Sequence, residues 1–393
     1  MTEVFILAAQ RTAIGTFGGA LKDIAPAELA STVAKAAMER SGIPSHQVQH
    51  VAWGQVIQTE PRDAYIARVA AVNGGIPVET PAFTVNRLCG SGLQAVISAA
   101  QTILLGDADA ALSGGSESMS RAPFLSPSMR WGVKMGDTPM VDMLDGALRD
   151  PFGRILMGVT AENVATRYNV DREAQDALAV ESHRRASRAI REGRFKDQIV
   201  GIEVKMRSGP VSFVEDEHVR HDVKDADLAG LRTIFRRDGG SVTAGNASGI
   251  NDGAAAIVLA GEEVVRRSGA APLARLVAYA HAGVEPDYMG IGPVPATRKV
   301  LAKAGLTVRD LDVIESNEAF AAQACAVARE LDFDPAVVNR NGSGISLGHP
   351  VGATGAINVV KAVHELQRIG GRYALVTMCI GGGQGISAIF ERV

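Results

Sequence analysis

The sequence predicts an α/β protein made of two similar halves, with a buried helix between sheets. Three observations carry this. Short apolar runs bounded by Gly, Pro and Ser alternate with segments of helical periodicity along most of the 393 residues. One helical segment, 93–105, is apolar almost all round (Leu93, Val96, Ile97, Ala100, Ile103, Leu104), so it must be enclosed. The chain also echoes itself. A small residue, Gly and an aliphatic, then a polar turn and an aliphatic strand, start at Ser41-Gly42-Ile43 and again at Ala304-Gly305-Leu306, 263 positions on. Val85-Asn86-Arg87 is matched by Val338-Asn339-Arg340, and the strand with glycines at 110–115 by that at 375–383. Three echoes in one order point to a duplicated βαβαβ-type unit, at a period far too long for a solenoid.

Taken in order, residues 4–9 read as a buried strand and 26–40 as a helix with Leu29, Val33 and Ala37 inward. Residues 48–56 read as the next strand, and 61–75 as a helix with Tyr65, Val69 and Val72 inward, stopped by Gly74-Gly75. A short strand at 83–85 leads into Asn86-Arg87-Leu88-Cys89-Gly90-Ser91-Gly92 and the apolar helix. Residues 108–112 form a strand closed by Ser113-Gly114-Gly115-Ser116. The stretch 121–159, rich in Met, Pro, Arg and Gly without a period, reads as an irregular insertion. Asp171 caps a helix running to Glu192 and stopped by Gly193. That helix carries Arg184, Arg185, Arg188 and Arg191, either a solvated face or a patch for a polyanion. A loop at 241–253 precedes a buried strand at 254–260, and 319–331 is an apolar helix holding Cys325.

Apolar residues make up 46% and charged residues 21%, values of a folded chain, and the length exceeds one typical core. A net charge of −3 gives no general reason to expect nucleic acid or a membrane surface as a partner. Three cysteines without Cys-x-x-Cys spacing argue against a disulfide framework or a zinc site and fit a reducing compartment. No run reads as long enough to span a bilayer. The first residues enter a strand pattern without a basic leader, so a cytoplasmic location is the expectation.

Four loops carry the chemistry. Cys89 stands where a chain puts a nucleophile, at the turn opening a helix, where the helix dipole and free N–H groups favour a thiolate. If the halves pair, equivalent loops meet at the carboxyl ends of the strands, which brings Asn317, His349 and Cys379 toward Cys89. His349, in Gly348-His349-Pro350-Val351-Gly352-Ala353-Thr354-Gly355, suits a base for a thiol and a donor to a developing oxyanion. The triple glycine after Cys379 suits a nest of N–H groups; a dinucleotide loop is the weaker reading, since no helix pattern follows. His218-x-x-His221 among acidic residues is a metal candidate of low specificity.

The blocks Asn86-Arg87-Leu88-Cys89-Gly90-Ser91-Gly92, Asn317-Glu318-Ala319-Phe320-Ala321, Gly348-His349-Pro350-x-Gly352-Ala353-Thr354-Gly355 and Cys379-Ile380-Gly381-Gly382-Gly383 resemble the signature blocks of the thiolases, in the family's order. The resemblance covers essentially the whole chain and is strongest to bacterial short-chain β-ketothiolases. It implies an αβαβα layered sandwich. It divides the chain into a first half (1–120 plus 251–272), an inserted loop domain (121–250) and a second half (273–393). It implies ping-pong acyl transfer among acetyl-CoA, 3-ketoacyl-CoA and free coenzyme A, with no metal and no permanently bound cofactor. Segment 121–142 resembles the one that forms a homotetramer, a dimer of dimers.

Residue by residue, the resemblance makes Cys89 the nucleophile and His349 its activator. Asn317 would hold a water in one oxyanion hole, and Cys379 would be the acid/base at the α-carbon. The N–H groups of Cys89 and Gly381 would form the second oxyanion hole. Ser248 is assigned to pantetheine, Arg220 to the adenosine phosphate end, and Met157, Phe235 and Met289 to the apolar wall. Leu156 is a departure, because many relatives carry histidine there; its replacement makes the acyl pocket more apolar and suits longer or branched chains. Two alternatives stand beside this reading. Ketoacyl synthases share the architecture but place a histidine where this chain has Cys379, and a non-catalytic acyl-CoA binder would have no need of all four groups.

Overall fold

The computed structural model describes residues 3–206 and 209–393. Nine main strands run β1 Val4–Thr12, β2 His50–Gly54, β3 Ala82–Val85, β4 Ala110–Ser118, β5 Asn251–Gly261, β6 Ala274–Gly283, β7 Val313–Ser316, β8 Tyr373–Ile380 and β9 Gln384–Arg392. The main helices are α1 Pro26–Arg40, α2 Ile66–Asn73, α3 Ser91–Leu105, α4 Met157–Arg167, α5 Arg172–Arg191, α6 Pro293–Ala304, α7 Ala321–Glu330 and α8 Thr354–Ile369.

The strand order shows the duplication. The first half runs β1-β5-β4-β2-β3 and the second β6-β9-β8-β7, joined where Phe5 and Ile6 of β1 pair with Arg275 and Ala274 of β6. The second half lacks a counterpart to β3 as a named strand, but Val338 makes a parallel bridge to Ile314 where β3 pairs parallel with β2. The echo of Val85 by Val338 is therefore an echo of position in the sheet.

α1 and α2 cover the outer face of the first half, α6 covers that of the second, and α3 and α8 pack on each other between the two sheets. Apart from β3 at one edge and the half-buried β6, the strands are buried on both faces, which is why they read as continuous apolar runs. Their alternation still sorts side chains. Val4, Ile6, Ala255, Ile257 and Leu259 face the central helices, while Phe5, Leu7, Ala256 and Val258 face α1 and α2. Burying a side chain such as Leu93 or Ile97 of α3 contributes about 1.5–3 kcal/mol.

Glycines set how closely the central helices approach. A Cβ on Gly355 would stand 2.3 Å from Leu93 N, and one on Gly92 2.6 Å from Ala356 N. Only the lack of a side chain lets α3 and α8 cross with backbones in contact.

Several expectations are corrected. Ser113-Gly114-Gly115-Ser116 does not close a strand; β4 continues through it to Ser118, fully buried. Small residues stand there because a Cβ on Gly114 would meet the Trp53 ring at 2.6 Å and one on Gly115 the Gly352 carbonyl at 2.4 Å. The 61–75 segment is a 3-10 turn, Pro61–Tyr65, followed by α2, and its inward residues are Ile66, Ala67, Ala70 and Ala71. Tyr65 is 69% exposed and Val72 also faces out. The stretch 121–159 holds a two-strand pairing of Phe124–Leu125 with Val141–Asp142, a short helix at Met143–Ala147, and the start of α4. The stretch Leu88–Leu105 is long and apolar enough to qualify as a membrane span by composition, contrary to expectation; the fold buries it as α3 in the core.

Other expectations hold. Asp171 accepts the N–H of Ala174 at 2.7 Å and caps α5. Of the α5 arginines, Arg184 and Arg185 pair with Glu181, and Arg191 donates to the Ser187 hydroxyl. That pairing favours the solvated-face reading over a free cationic patch.

Candidate active site

Cys89 sits in a turn held by two side chains. Asn86 Oδ1 accepts the Leu88 N–H at 2.9 Å, and Ser91 Oγ accepts the Arg87 N–H at 2.8 Å while donating to the Leu88 carbonyl at 2.7 Å. The turn forces Leu88 to φ +44°, a conformation costly for a branched side chain and typical of strained site backbone. Gly90 follows, where a Cβ would come within 2.6 Å of Ile380. The turn therefore lies directly against the strand end that carries Cys379.

The environment of Cys89 corrects the thiolate expectation. Burial pushes its thiol up to about 11; the N–H groups of Gly381 and of Cys89 itself act in the opposite sense and are outweighed, and the charge of Glu117 adds to the rise. Helix α3 begins only at Ser91, so its first N–H groups do not overcome desolvation. At rest Cys89 is a neutral thiol that needs a base.

His349 is a buried imidazole held by its own loop. Its Nδ1 lies 2.7 Å from Thr354 Oγ1, and the Thr354 hydroxyl donates to the Pro350 carbonyl at 2.8 Å. With its proton committed to Pro350, the hydroxyl can only accept, so Nδ1 carries the imidazole proton and Nε2 presents a lone pair. Burial holds His349 down to about 4, so it is neutral at rest. Asn317 Nδ2 lies 3.4 Å from Nε2, and Asn317 Oδ1, buried, has no hydrogen-bond partner among the described residues.

The His349 backbone N–H donates to Asn251 Oδ1 at 2.8 Å, and Asn251 Nδ2 donates to the Gly15 carbonyl at 3.0 Å. Gly348 adopts φ +112° with Asn251 packed where its Cβ would be. Asn251 and Thr354 were missed by sequence reasoning. Thr354 was legible as the hydroxyl five residues after His349, whereas Asn251 shows only once β5 is placed beside the loop.

Cys379 is fully buried at the end of β8, beside Met157, Met289 and Ala319. Burial raises its thiol first, and the neighbouring Cys89 raises it further. Gly382 and Gly383 have φ of +81° and +84°, turning the chain so that Gly381 presents its N–H to Cys89. The site thus has two neighbouring thiols and the Gly381 N–H together, with the loop after His349 packed against Gly92 of the cysteine turn.

Beside it lies an apolar cavity of about 410 Å³ lined by Leu156, Met157, Phe235, Ser248, Phe320 and His349 among others. Met289 stands behind this wall with Cys379 rather than in the lining. Arg220 is exposed and outside the lining; its backbone N–H donates to His183 Nδ1 at 3.1 Å. Among the described residues no group of three His, Cys, Asp or Glu side chains is placed to hold a metal ion, His218 and His221 included.

Two buried thiols, a neutral imidazole and backbone donors beside an apolar cavity are the groups that an acyl-transfer site requires. Comparisons with known proteins agree. The models for the thiolase N-terminal and C-terminal domains match residues 4–263 and 270–392. The β-ketothiolase BktB of Cupriavidus necator is 64% identical over 100% of this chain and 99% of its own length. An acetyl-CoA acetyltransferase of Chromobacterium violaceum is 50% identical over 99% of this chain and 100% of its own. The crystal structure of human mitochondrial 3-ketoacyl-CoA thiolase superposes with a TM-score of 0.98 at 44% identity, covering 100% of this chain and 99% of that one. The chain belongs to the thiolase family. Its activity is that of a β-ketothiolase (acetyl-CoA C-acetyltransferase), joining acyl-CoA thioesters by Claisen condensation or cleaving 3-ketoacyl-CoA in reverse.

Proposed function

We propose that the reaction runs through an acyl-Cys89 intermediate in two half-reactions that share His349 and Cys379. In the first, Cys89 gives its proton to His349 Nε2 and its sulfur attacks the thioester carbonyl. The tetrahedral oxyanion is held by the N–H groups of Cys89 and Gly381. The C–S bond to coenzyme A breaks, and the departing thiolate takes the proton of Cys379. In the second, the Cys379 thiolate removes the α-proton of acetyl-CoA. The enolate oxygen is held by imidazolium His349 and a water on Asn317, and its carbon attacks the acyl-Cys89 carbonyl. Cys89 leaves as thiolate and recovers its proton from His349, so each group ends as it began. A thiol whose pKa burial has raised is a strong base once ionised, which suits a carbon acid.

The observation that carries this is the tautomer lock, Pro350 carbonyl to Thr354 hydroxyl to His349 Nδ1. It turns the Nε2 lone pair, 3.4 Å from Asn317 Nδ2, to the side where a thiol proton could be taken.

The apolar cavity supports coenzyme A thioesters as substrates, with Ser248 and the Met157–Phe235 wall at the pantetheine and acyl group and Arg220 at the adenosine phosphates outside it. A solved relative, human mitochondrial 3-ketoacyl-CoA thiolase at 43% identity, has been crystallised in complex with CoA. Leu156 in the lining supports acceptance of acyl chains longer than acetyl. Residues 121–250 are assigned to covering the coenzyme and 121–142 to assembling a homotetramer. Exposed Trp131 and Met135, 90% and 94% accessible, fit the latter, and light scattering reads it directly.

The test is intact-protein mass spectrometry after incubation with acetyl-CoA. One acetyl group on Cys89, removed by added coenzyme A and absent in Cys89→Ala, is the expected result. An unmodified wild-type protein would make the chain a binder rather than a catalyst.

A further inference from the structure

We propose that Glu117 is a positioning residue for acyl transfer: its buried carboxylate clamps the His349 loop of the second half onto the strand ends of the first and so fixes the approach of His349 to Cys89. The inference rests on the roles given above to those two residues.

Glu117 lies near the end of β4, fully buried, with no cation bonded to it among the described residues. Its carboxylate accepts three backbone N–H groups. Val56 donates to Oε2 at 3.0 Å, Ile57 to Oε1 at 3.1 Å and Gly352 to Oε2 at 2.9 Å. The first two belong to the segment leaving β2 in the first half. The third belongs to the second half, three residues after His349. The carboxylate is therefore a three-point connection across the seam at which the reaction occurs.

The backbone around it is shaped to admit it. A Cβ on Gly352 would stand 2.5 Å from Glu117 Oε2 and 3.0 Å from Gln55 Cα, so glycine is required for the loop to reach the carboxylate. A Cβ on the adjacent Gly115 would strike the Gly352 carbonyl. Two glycines, one from each half, thus clear a path for one hydrogen bond.

Burying an unpaired carboxylate is expensive, and nothing in the packing demands one here. A glutamine of the same size offers one acceptor oxygen where three donors converge, and its amide would face an N–H. Burial, with Asp63 adding to it, raises Glu117 to about 8, the cost carried by the fold for keeping this group. At the alkaline pH where Cys89 titrates Glu117 is ionised, and its charge then raises the thiol further.

Two variants test this. Glu117→Gln removes the charge and part of the clamp, and Gly352→Ala pushes the loop away while leaving the carboxylate. Each is compared with wild type for the single-turnover rate of Cys89 acetylation, for KM of acetyl-CoA, for thermal unfolding, and for the pH midpoint of iodoacetamide alkylation of Cys89. The expected result is an acetylation rate at least about tenfold lower in both, with KM within about twofold, since a misplacement of about 1 Å is enough for such a loss. The alkylation midpoint should fall in Glu117→Gln and stay put in Gly352→Ala. A folded Glu117→Gln protein that acetylates at the wild-type rate, or whose loss lies entirely in KM, overturns the proposal. If Glu117→Gln does not fold, the rate in Gly352→Ala decides by the same criterion. Acetylation that persists in Cys89→Ala would instead refute the underlying site assignment.

Discussion

The two halves share a strand order and an internal helix, yet they treat the same loop differently. In the first half Val85-Asn86-Arg87 leads to Cys89, and Asn86 folds the strained turn that carries the thiol. In the second, Val338-Asn339-Arg340 leads to Gly342 at the corresponding place, with φ +80° and its carbonyl accepting the Lys361 ammonium at 2.7 Å. Asn339 there turns inward, accepting the Ser316 N–H and donating to Glu318 beneath Asn317. One copy of the loop carries Cys89, and the other is tied to Ser316 and Glu318 on either side of Asn317. The ends of the equivalent strands differ in the same manner, since β4 carries the clamp Glu117 and β8 the thiol Cys379. Duplication supplied a scaffold in which equivalent loops converge, and divergence divided the labour among them.

This division is broken most sharply at Cys379. Cys379→Ser should lose condensation by a factor of about a thousand or more while Cys89 still becomes acetylated, because Cys89 and His349 are both unchanged. The comparison is between acetoacetyl-CoA formation and acetyl incorporation on the same sample. Equal losses in both would show that the halves do not act separately.

The next effect is set by pH. His349 is held down to about 4, so the rate of Cys89 acetylation should lose its base only near pH 4, not near the 6.5 of a free imidazole. A pH–rate profile with its acid limb near 6.5 would contradict the assignment. Stability follows the same sign. The folded pKa of His349 lies below its unfolded value, as does that of His183 at about 3. Each therefore adds stability that is complete above about pH 6.5 and is lost toward pH 4, at about 1 kcal/mol per pH unit over that window. Glu117, raised to about 8, and Glu315, raised to about 7, act in the opposite sense over this window, so the His349 share is read as the wild-type urea midpoint minus that of His349→Asn, a difference that should fall between pH 7 and 5.

A smaller effect lies at the seam. Gly355→Ala places a methyl against Leu93 N and should cost about 1–3 kcal/mol in urea unfolding. A neutral result would mean that α3 and α8 are free to separate. The smallest effect is on chain length. Leu156→His should lower turnover of 3-ketohexanoyl-CoA relative to acetoacetyl-CoA by about a few fold, through a polar group in an apolar lining. Unchanged ratios would remove Leu156 from the specificity of the pocket.

By itself the sequence determined the alternation of strands and helices, the duplicated order, the burial of α3, and the four loops that carry Cys89, Asn317, His349 and Cys379. These follow from local patterning, since apolar periodicity, caps and glycine punctuation act within a few residues. Only the tertiary structure decided the protonation state of Cys89, because desolvation depends on everything packed around a group and outweighed the helix terminus visible in the sequence. It also decided the support of the site. Asn251 and Glu117 stand far along the chain from His349 and hold its loop by side chain to backbone bonds that leave no local pattern. The same holds for Gly114 and Gly115, which read as the end of a strand and are its closely packed middle. Their small size is set by Trp53 and Gly352, residues brought there only by the fold.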